Sequence, residues 1–403
     1  MNILFVTILR INDIEDRGIY PDLMRKFCRE GHKVFILTPN ERRYKQGTTL
    51  VNDGNVSIVK VRTLNIQKTN VLEKWLGTLL INYQYSKTIK KYFPETTFDL
   101  IIYSTPPITF TPLIKYVRRR DNAVAYLLLK DIFPQNAVDL GLINKKGIMY
   151  KYMRRLERKL YEISDYIGCM SQANVDYLIE NNPDVDPHKI EVNPNSHELF
   201  DEEITDKQKI SIREKYNLPM DATVFIYGGN LGKPQGVDFI IDFLNTQKGK
   251  PDTYFIIIGS GMEYNKIENW INNEPCDNIM LLKELAKNEY NMLVQSCDVG
   301  MIFLDKRFTI PNFPSRILSF MEYKMPVIAA TDTSTDLGKI IQENNFGLWS
   351  EAGDTDTISE NVMLLANNKE LRKELGLNGY KHFNDNYTVD ISYRLITAHF
   401  TNI

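Results

Sequence analysis

Three short stretches of this chain bring together residue types that could hold an anion or serve a polyhydroxylated substrate. The first is Gly228-Gly229-Asn230-Leu231-Gly232-Lys233-Pro234-Gln235-Gly236. Four glycines let backbone amides curve around a phosphate, and Lys233 adds charge without bulk; a flexible turn is the alternative. The second is Pro311-Asn312-Phe313-Pro314-Ser315-Arg316. Two prolines stiffen this loop, Ser315 is a good N-cap, and Arg316 in the first helical turn would favour a phosphate or diphosphate. An ordinary capped helix with a surface arginine fits the same residues. The third is Lys130-Asp131, placed directly after the apolar run 123–129. Charges so close to a buried strand need a reason: either the two pair with each other, or Asp131 serves substrate hydroxyls.

Metal chemistry has no comparable pattern. Cysteines 28, 169, 276 and 297 are isolated and form no C-x-x-C pair, and the five histidines lack ligand spacing. No disulfide framework, zinc cluster or bound metal is expected.

The elements that must position these stretches are strands. Residues 2–7, 32–38, 98–103, 123–129, 165–170 and 191–195 read as strands in the first half, and 222–227, 253–258, 278–282, 299–304 and 327–330 in the second. Helical patterns between them imply parallel sheets, whose carboxyl ends are where ligands bind. Ser104-Thr105-Pro106-Pro107, Lys130-Asp131 and Pro194-Asn195-Ser196 fall at such ends in the first half; the glycine loop, Gly259-Ser260-Gly261 and Lys283-Glu284 do so in the second. The polar loop from Arg10 to Gly18 is either a plain connection or part of an acceptor pocket. It lacks the G-x-G-x-x-G of a dinucleotide site.

At 403 residues the chain suits two α/β domains. We place the boundaries at 1–200, 201–385 and a final helix over 386–403 that crosses back to the first domain, with a polar linker over 199–218. The 25% charged and 43% hydrophobic composition is that of a globular enzyme. No apolar stretch has the length of a membrane span, and MNILFVTILR enters as a strand, so a cytoplasmic protein is expected. Residues 1–200 hold 29 Lys and Arg against 22 Asp and Glu, and the remainder 20 against 29. A basic first half suggests a lipid-linked diphosphate or an anionic membrane surface; chance asymmetry of solvated faces is the alternative. Nucleic acid is not an expected partner. The helix read over 71–93 carries Trp75, Leu76, Leu79, Leu80 and Tyr83 on one side, a face that packs on a core or grazes a bilayer, with packing favoured. The helix read over 146–162, with Arg154, Arg155, Arg158 and Lys159, reads as a solvated outer helix.

Taken together, these motifs resemble the retaining GT-B glycosyltransferases of family four, especially bacterial enzymes of capsule and O-antigen assembly. The residues that carry the likeness are Ser104 to Pro107, Lys130 to Gln135 with Leu140-Gly141, Glu191 to Asn195, Gly228 to Gly232 with Gln235-Gly236, and Pro314 to Arg316 through Met325-Pro326-Val327-Ile328. The resemblance implies an α/β chain of two Rossmann-like domains whose parallel sheets face across a cleft. It implies transfer of a hexose or N-acetylhexosamine from a UDP-linked sugar to a lipid-linked or glycan acceptor, with no cofactor, at the inner face of the cell membrane. By the same resemblance, the amides at Gly229 to Gly232 with Asn230 and Gln235, and the side chains of Lys233 and Arg316, hold the diphosphate. The base lies near Gly259 and bonds around Lys283 and Glu284; Asn312 and Phe313 contact the donor sugar, and Ser319 a ribose hydroxyl. Asp131, with Ser104, Thr105, Asn195 and Gly18, lines the acceptor side; Asp131, Lys233 and Arg316 are the catalytic candidates. Where the wider family carries a pair of glutamates this chain has Pro311 and Ser319, and Asn230 and Gln235 stand where many members have Arg and Lys. A non-catalytic GT-B partner subunit and a nucleotide-sugar epimerase are the rival readings.

Overall fold

Runs such as Ile3-Leu4-Phe5-Val6 and Phe255-Ile256-Ile257-Ile258 are apolar at every position and buried throughout, as strands covered on both faces by crossover helices must be. In the computed structural model these runs build two separate parallel sheets, one in each of two units: Met1–Glu198 with Thr388–Ile403, and Leu199–Tyr387. The structure describes residues 1–67, 69, 71–199 and 203–400, with the backbone alone at 71, 72, 74 and 75.

The first sheet contains β1 Asn2–Val6, β2 Lys33–Glu41, β3 Thr49–Asp53, β4 Val56–Thr63, β5 Leu100–Ser104, β6 Val124–Leu129, β7 Tyr166–Cys169 and β8 Ile190–Val192. Its order is β3-β4-β2-β1-β5-β6-β7-β8, parallel except for the edge strand β3. The hairpin that joins β3 to β4 was not anticipated, although Asp53-Gly54-Asn55 is a turn signal and Gly54 has φ 53°. The second sheet contains β9 Thr223–Asn230, β10 Thr253–Ser260, β11 Ile279–Lys283, β12 Val299–Phe303, β13 Val327–Thr331 and β14 Gly347–Glu351. Its order is β11-β10-β9-β12-β13-β14, all parallel. Chain direction across the sheet therefore reverses between β1 and β5 in one unit and between β9 and β12 in the other. Loops leaving the carboxyl ends of such a pair diverge and open a crevice.

Two expectations differ from what forms, and the final helix, in the first unit as expected, is shorter than its expected span. The stretch read as a linker holds the helix Asp206–Lys215, started by a capping box in which the Gln208 amide donates to Thr205 Oγ1 at 3.3 Å and the Thr205 amide donates to Gln208 Oε1 at 2.9 Å; residues 200–202 lie outside the described residues. The last helix is Val389–Ala398. It belongs to the first unit, packing on the helix Ile19–Arg29 through Tyr393, whose ring lies 5.0 Å from Phe27. The helix Val71–Tyr92 buries Ile81, Tyr85 and Ile89 instead of the face expected to pack, leaving Leu76, Leu80 and Tyr83 outside. The side chain of Trp75, read with that face, lies outside the described set.

Candidate functional site

In the second unit the glycine loop leaves β9 and is held mostly by its own atoms. The Leu231 amide donates to Ser260 O at 2.9 Å, and the Gly232 amide donates to Gln235 Oε1 at 3.2 Å. The same Gln235 oxygen accepts from Asn230 Nδ2 at 3.2 Å, so Gln235 is a staple across the loop. This corrects the expectation that the amides of 229 to 232 stand free for a diphosphate: those of Leu231 and Gly232 are already engaged. Positive charge at this edge comes from side chains. The Lys233 ammonium has no ion pair among the described residues.

Arg316 is the other charge. Its guanidinium lies over the Tyr227 ring, 4.5 Å from the centroid, and its Nη1 is buried with no hydrogen-bond partner. Its Nη2 stands 2.8 Å from where a Cβ on Gly229 would be, at a φ of 143° that side chains rarely adopt. Gly229 thus leaves room for the guanidinium to reach the loop. A buried, unpartnered donor on a cation is costly unless something fills it. Burial raises the phenols of Tyr227 and Tyr290, the latter to about 12, against a smaller downward pull from Arg316. Both hydroxyls stay protonated beside the charge.

The loop between β12 and the helix Arg316–Glu322 is fixed from two sides. The Asp305 amide donates to Pro234 O at 2.9 Å, and Arg307 forks onto the Asp305 carboxylate at 2.8 and 2.7 Å. At its far end the Asn312 amide donates to Thr335 Oγ1 at 2.9 Å, while the Thr335 amide and hydroxyl donate to the two oxygens of Asp332 at 2.9 and 3.1 Å. Burial pushes the Asp332 carboxyl up to about 6 although these bonds favour its ionised form. The turn-forming run Thr331 to Asp336 was the available signal for this brace. Ser315 does not cap: its backbone is already helical, at φ −62° and ψ −19°, and its exposed hydroxyl accepts no amide. Phe313 is buried, stacked 5.7 Å from Tyr387, so its ring is not presented to a sugar. Asn312 and Ser319 remain half-buried.

Gly259 lies beside β9, where a Cβ would run into the carbonyl oxygen of Gly229. Lys283 pairs in register with Gly259 at the end of β11; Lys283 and Glu284 are exposed, and Glu284 accepts from Ser260 Oγ at 3.0 Å. The carboxyl edge of the second sheet therefore gathers Gly229, Asn230, Gly232, Lys233, Gln235, Gly259, Lys283 and Glu284 with Arg316.

In the first unit Ser104 and Thr105 are buried at the end of β5. Thr105 Oγ1 accepts from the amides of Lys130 and Asp131 at 3.0 and 3.1 Å, shaping the turn after β6. Lys130 and Asp131 each have a partner elsewhere: Lys130 Nζ donates to Asn193 O at 3.2 Å, and Asn136 Nδ2 donates to Asp131 at 2.7 Å. Burial lowers the Lys130 amine to about 7. Asn195 is buried beyond β8, and its Oδ1, like those of Asn136 and Asn193, has no hydrogen-bond partner. The Gly18 amide donates to Asp22 Oδ1 at 2.9 Å, so it is spent on the start of its own helix. Sequence reasoning weighed Lys130 only as a partner for Asp131 and Asn193 only as part of a motif, and it missed Asn136 as a member of this cluster. Among the described residues no group of three or more His, Cys, Asp or Glu could hold a metal ion.

Residues 208–382 match the family described as glycosyl transferases group 1. WbjE of Pseudomonas aeruginosa, a probable glycosyltransferase, is 25% identical over 262 residues, which cover 62% of this chain and 62% of that relative. Among solved structures, sucrose-phosphate synthase from Thermosynechococcus elongatus superposes with a TM-score of 0.76 at 13% identity, covering 100% of this chain and 98% of that one. HepE of Anabaena, solved in complex with UDP-glucose, does so with 0.71 at 14% identity, covering 100% of both chains. These likenesses establish the fold: the two parallel-sheet units have the GT-B architecture, and the stretch that matches the group 1 family lies in the second unit.

Proposed function

We propose that this chain, which carries a glycosyl transferases group 1 domain, is a retaining, metal-independent glycosyltransferase. It moves a hexose or N-acetylhexosamine from a UDP-linked sugar to a lipid-diphosphate-linked saccharide in surface polysaccharide assembly, at the cytoplasmic face of the membrane. The observation that carries this reading is Arg316 Nη1, a buried cationic donor without a partner, held on Tyr227 against Gly229 at the point where the strand order reverses. A diphosphate oxygen is the ligand that would complete it. With Lys233 beside the same loop, two cations stabilise the charge that grows on the leaving diphosphate, which is why no divalent ion is required in this reading. The bond from the anomeric carbon to the diphosphate oxygen breaks as the acceptor oxygen bonds on the same face, and the acceptor's proton passes to the departing phosphate. A UDP-glucose complex of a structural neighbour supports UDP as the first donor to try.

Calorimetry of UDP, GDP and ADP in EDTA, followed by product analysis with UDP-sugars and a lipid-diphosphate saccharide, tests the proposal. UDP is expected to bind without metal and the product to keep the donor's anomeric configuration. Inversion of configuration, or binding that needs a divalent ion, would overturn it. UDP binding without turnover would favour the non-catalytic reading, and release of an altered nucleotide sugar without acceptor would favour the epimerase.

A further inference from the structure

Asn195, the acceptor-side candidate beyond β8, has little to hold its own side chain. Among the described residues its Nδ2 donates only to Met170 Sδ, at 3.6 Å, and its buried Oδ1 has no partner. A thioether accepts weakly and cannot donate, so the NH2 turns to the sulfur and the oxygen is the spare atom.

The residues around Asn195 are held instead. Ser392 Oγ lies 2.9 Å from Ser196 Oγ and 3.4 Å from Pro194 O, so one buried hydroxyl bonds both neighbours of Asn195. The Val389 amide donates to His197 O at 3.0 Å. Both donors come from the helix Val389–Ala398, which belongs to the same unit.

A second tie reaches Asn193. A Cβ on Gly168, in β7, would meet the Tyr126 hydroxyl and Asn193 Cβ, each at 2.7 Å. Through the room that glycine leaves, Tyr126 of β6 crosses β7 to the side chains of β8. Its hydroxyl donates to Glu191 Oε1 at 2.5 Å and accepts from Asn193 Nδ2 at 2.8 Å. Burial and the neighbouring carboxylate hold this phenol well above its usual range, so it keeps the proton it donates. His399, just past the last helix, completes the chain. Its Nε2 lies 3.1 and 3.2 Å from the two Glu191 oxygens, and its ring stacks on Tyr166 at 3.5 Å.

We infer, on the transferase reading of this edge, that Ser392 and the chain Tyr126–Glu191–His399 are positioning residues that hold Asn195 for a free hydroxyl of the acceptor saccharide. Anchoring of the helix alone is already served by apolar contacts, with Tyr393 against Phe27 and Ile396 in the core. The ties from Ser392, Val389 and Tyr126, by contrast, all end within two residues of Asn195. A backbone held on both sides gives the amide a fixed place that its own weak bond to sulfur does not.

Hydrogen exchange of the full chain, without nucleotide or saccharide, tests the positioning separately from the transferase reading. The amides of 193, 195, 196 and 197 should exchange about tenfold faster in Ser392→Ala and in His399→Ala, the worth of about one hydrogen bond, with β1 and β5 as in wild type. Unchanged exchange at 193–197, or faster exchange throughout the unit, would overturn the positioning whether or not the wild type transfers sugar. His399 is only half-buried, so its variant keeps the test open should Ser392→Ala not fold. In transfer assays each variant should raise the acceptor KM about threefold to tenfold with UDP affinity unchanged. His399→Gln, which keeps a donor toward Glu191, should restore most of that loss. In an Asn195→Ala background neither Ser392→Ala nor His399→Ala should raise the acceptor KM further. Losses that add to that of Asn195→Ala, or that fall equally on UDP, would overturn the assignment.

Discussion

At the carboxyl ends of β9 and β12 the polar atoms left over after internal bonding are donors, whereas at the ends of β5, β6 and β8 they are acceptors. In the second unit Arg316 Nη1 is buried and unpartnered, and the Lys233 ammonium has no ion pair among the described residues. In the first unit the cation is already used: Lys130 donates to Asn193 O and its amine is lowered to about 7. What remains there are the side-chain carbonyl oxygens of Asn136, Asn193 and Asn195. Both sheets reverse their strand order in the same way, so topology alone does not tell the two edges apart. Spare cationic donors suit a diphosphate, and spare neutral acceptors suit the hydroxyls of a saccharide. Two sheets that share this reversal thereby offer different polar atoms through the residues that follow their strands.

Removing the spare donor should do most to erase this contrast. Arg316→Ala is expected to lower kcat/KM by roughly 100- to 1,000-fold, the loss of one preorganised donor to developing charge, and to weaken UDP in a binding assay. Arg316→Lys should rescue little, because an ammonium cannot reproduce a guanidinium stacked on Tyr227. Unchanged kinetics in the alanine variant would remove the second edge from the chemistry.

A smaller effect tests whether Lys130 is spent. Its folded value lies below its unfolded one, so between about pH 7 and 10 the unfolded chain binds more protons and stability rises with pH. Lys130→Met should flatten that rise, which we place on the order of 2 kcal/mol in urea unfolding at pH 7 and pH 9. A wild-type curve with no such slope would mean a fully charged lysine, and the first edge would then resemble the second. The smallest expected effect is at Asn195. Asn195→Ala should raise the acceptor KM about tenfold, the worth of a hydrogen bond or two, with UDP affinity unchanged. Equal loss of both would make Asn195 a structural residue of the first unit.

Much of this was legible in the chain. Runs such as Ile3 to Val6 and Phe255 to Ile258 suggest strands covered on both faces, because they are short, apolar at every position and rich in β-branched and aromatic side chains. Glycine and lysine after β9, and an arginine after the loop that follows β12, were legible as residue types at a carboxyl edge, the types an anion site would use. The hairpin at Asp53-Gly54 carried its own local signal and was passed over.

Other features were settled by partners far away in the chain. Local pattern makes Ser315 a cap, and the family resemblance makes Phe313 a sugar contact, but Tyr387 takes the phenyl ring into the unit. Free amides at Leu231 and Gly232 could be foreseen only without knowledge of Ser260 O and the Gln235 side chain. The helix Val71–Tyr92 is apolar on two sides, so its own periodicity does not say which side is buried; the rest of the unit chose Ile81, Tyr85 and Ile89. The sequence by itself therefore determined the α/β class, the strands and the residue types at each carboxyl edge, since these follow from short-range apolar pattern and turn chemistry. Only tertiary structure decided which of those polar groups remain unbonded and which apolar stripe faces outward, because both depend on neighbours that folding supplies.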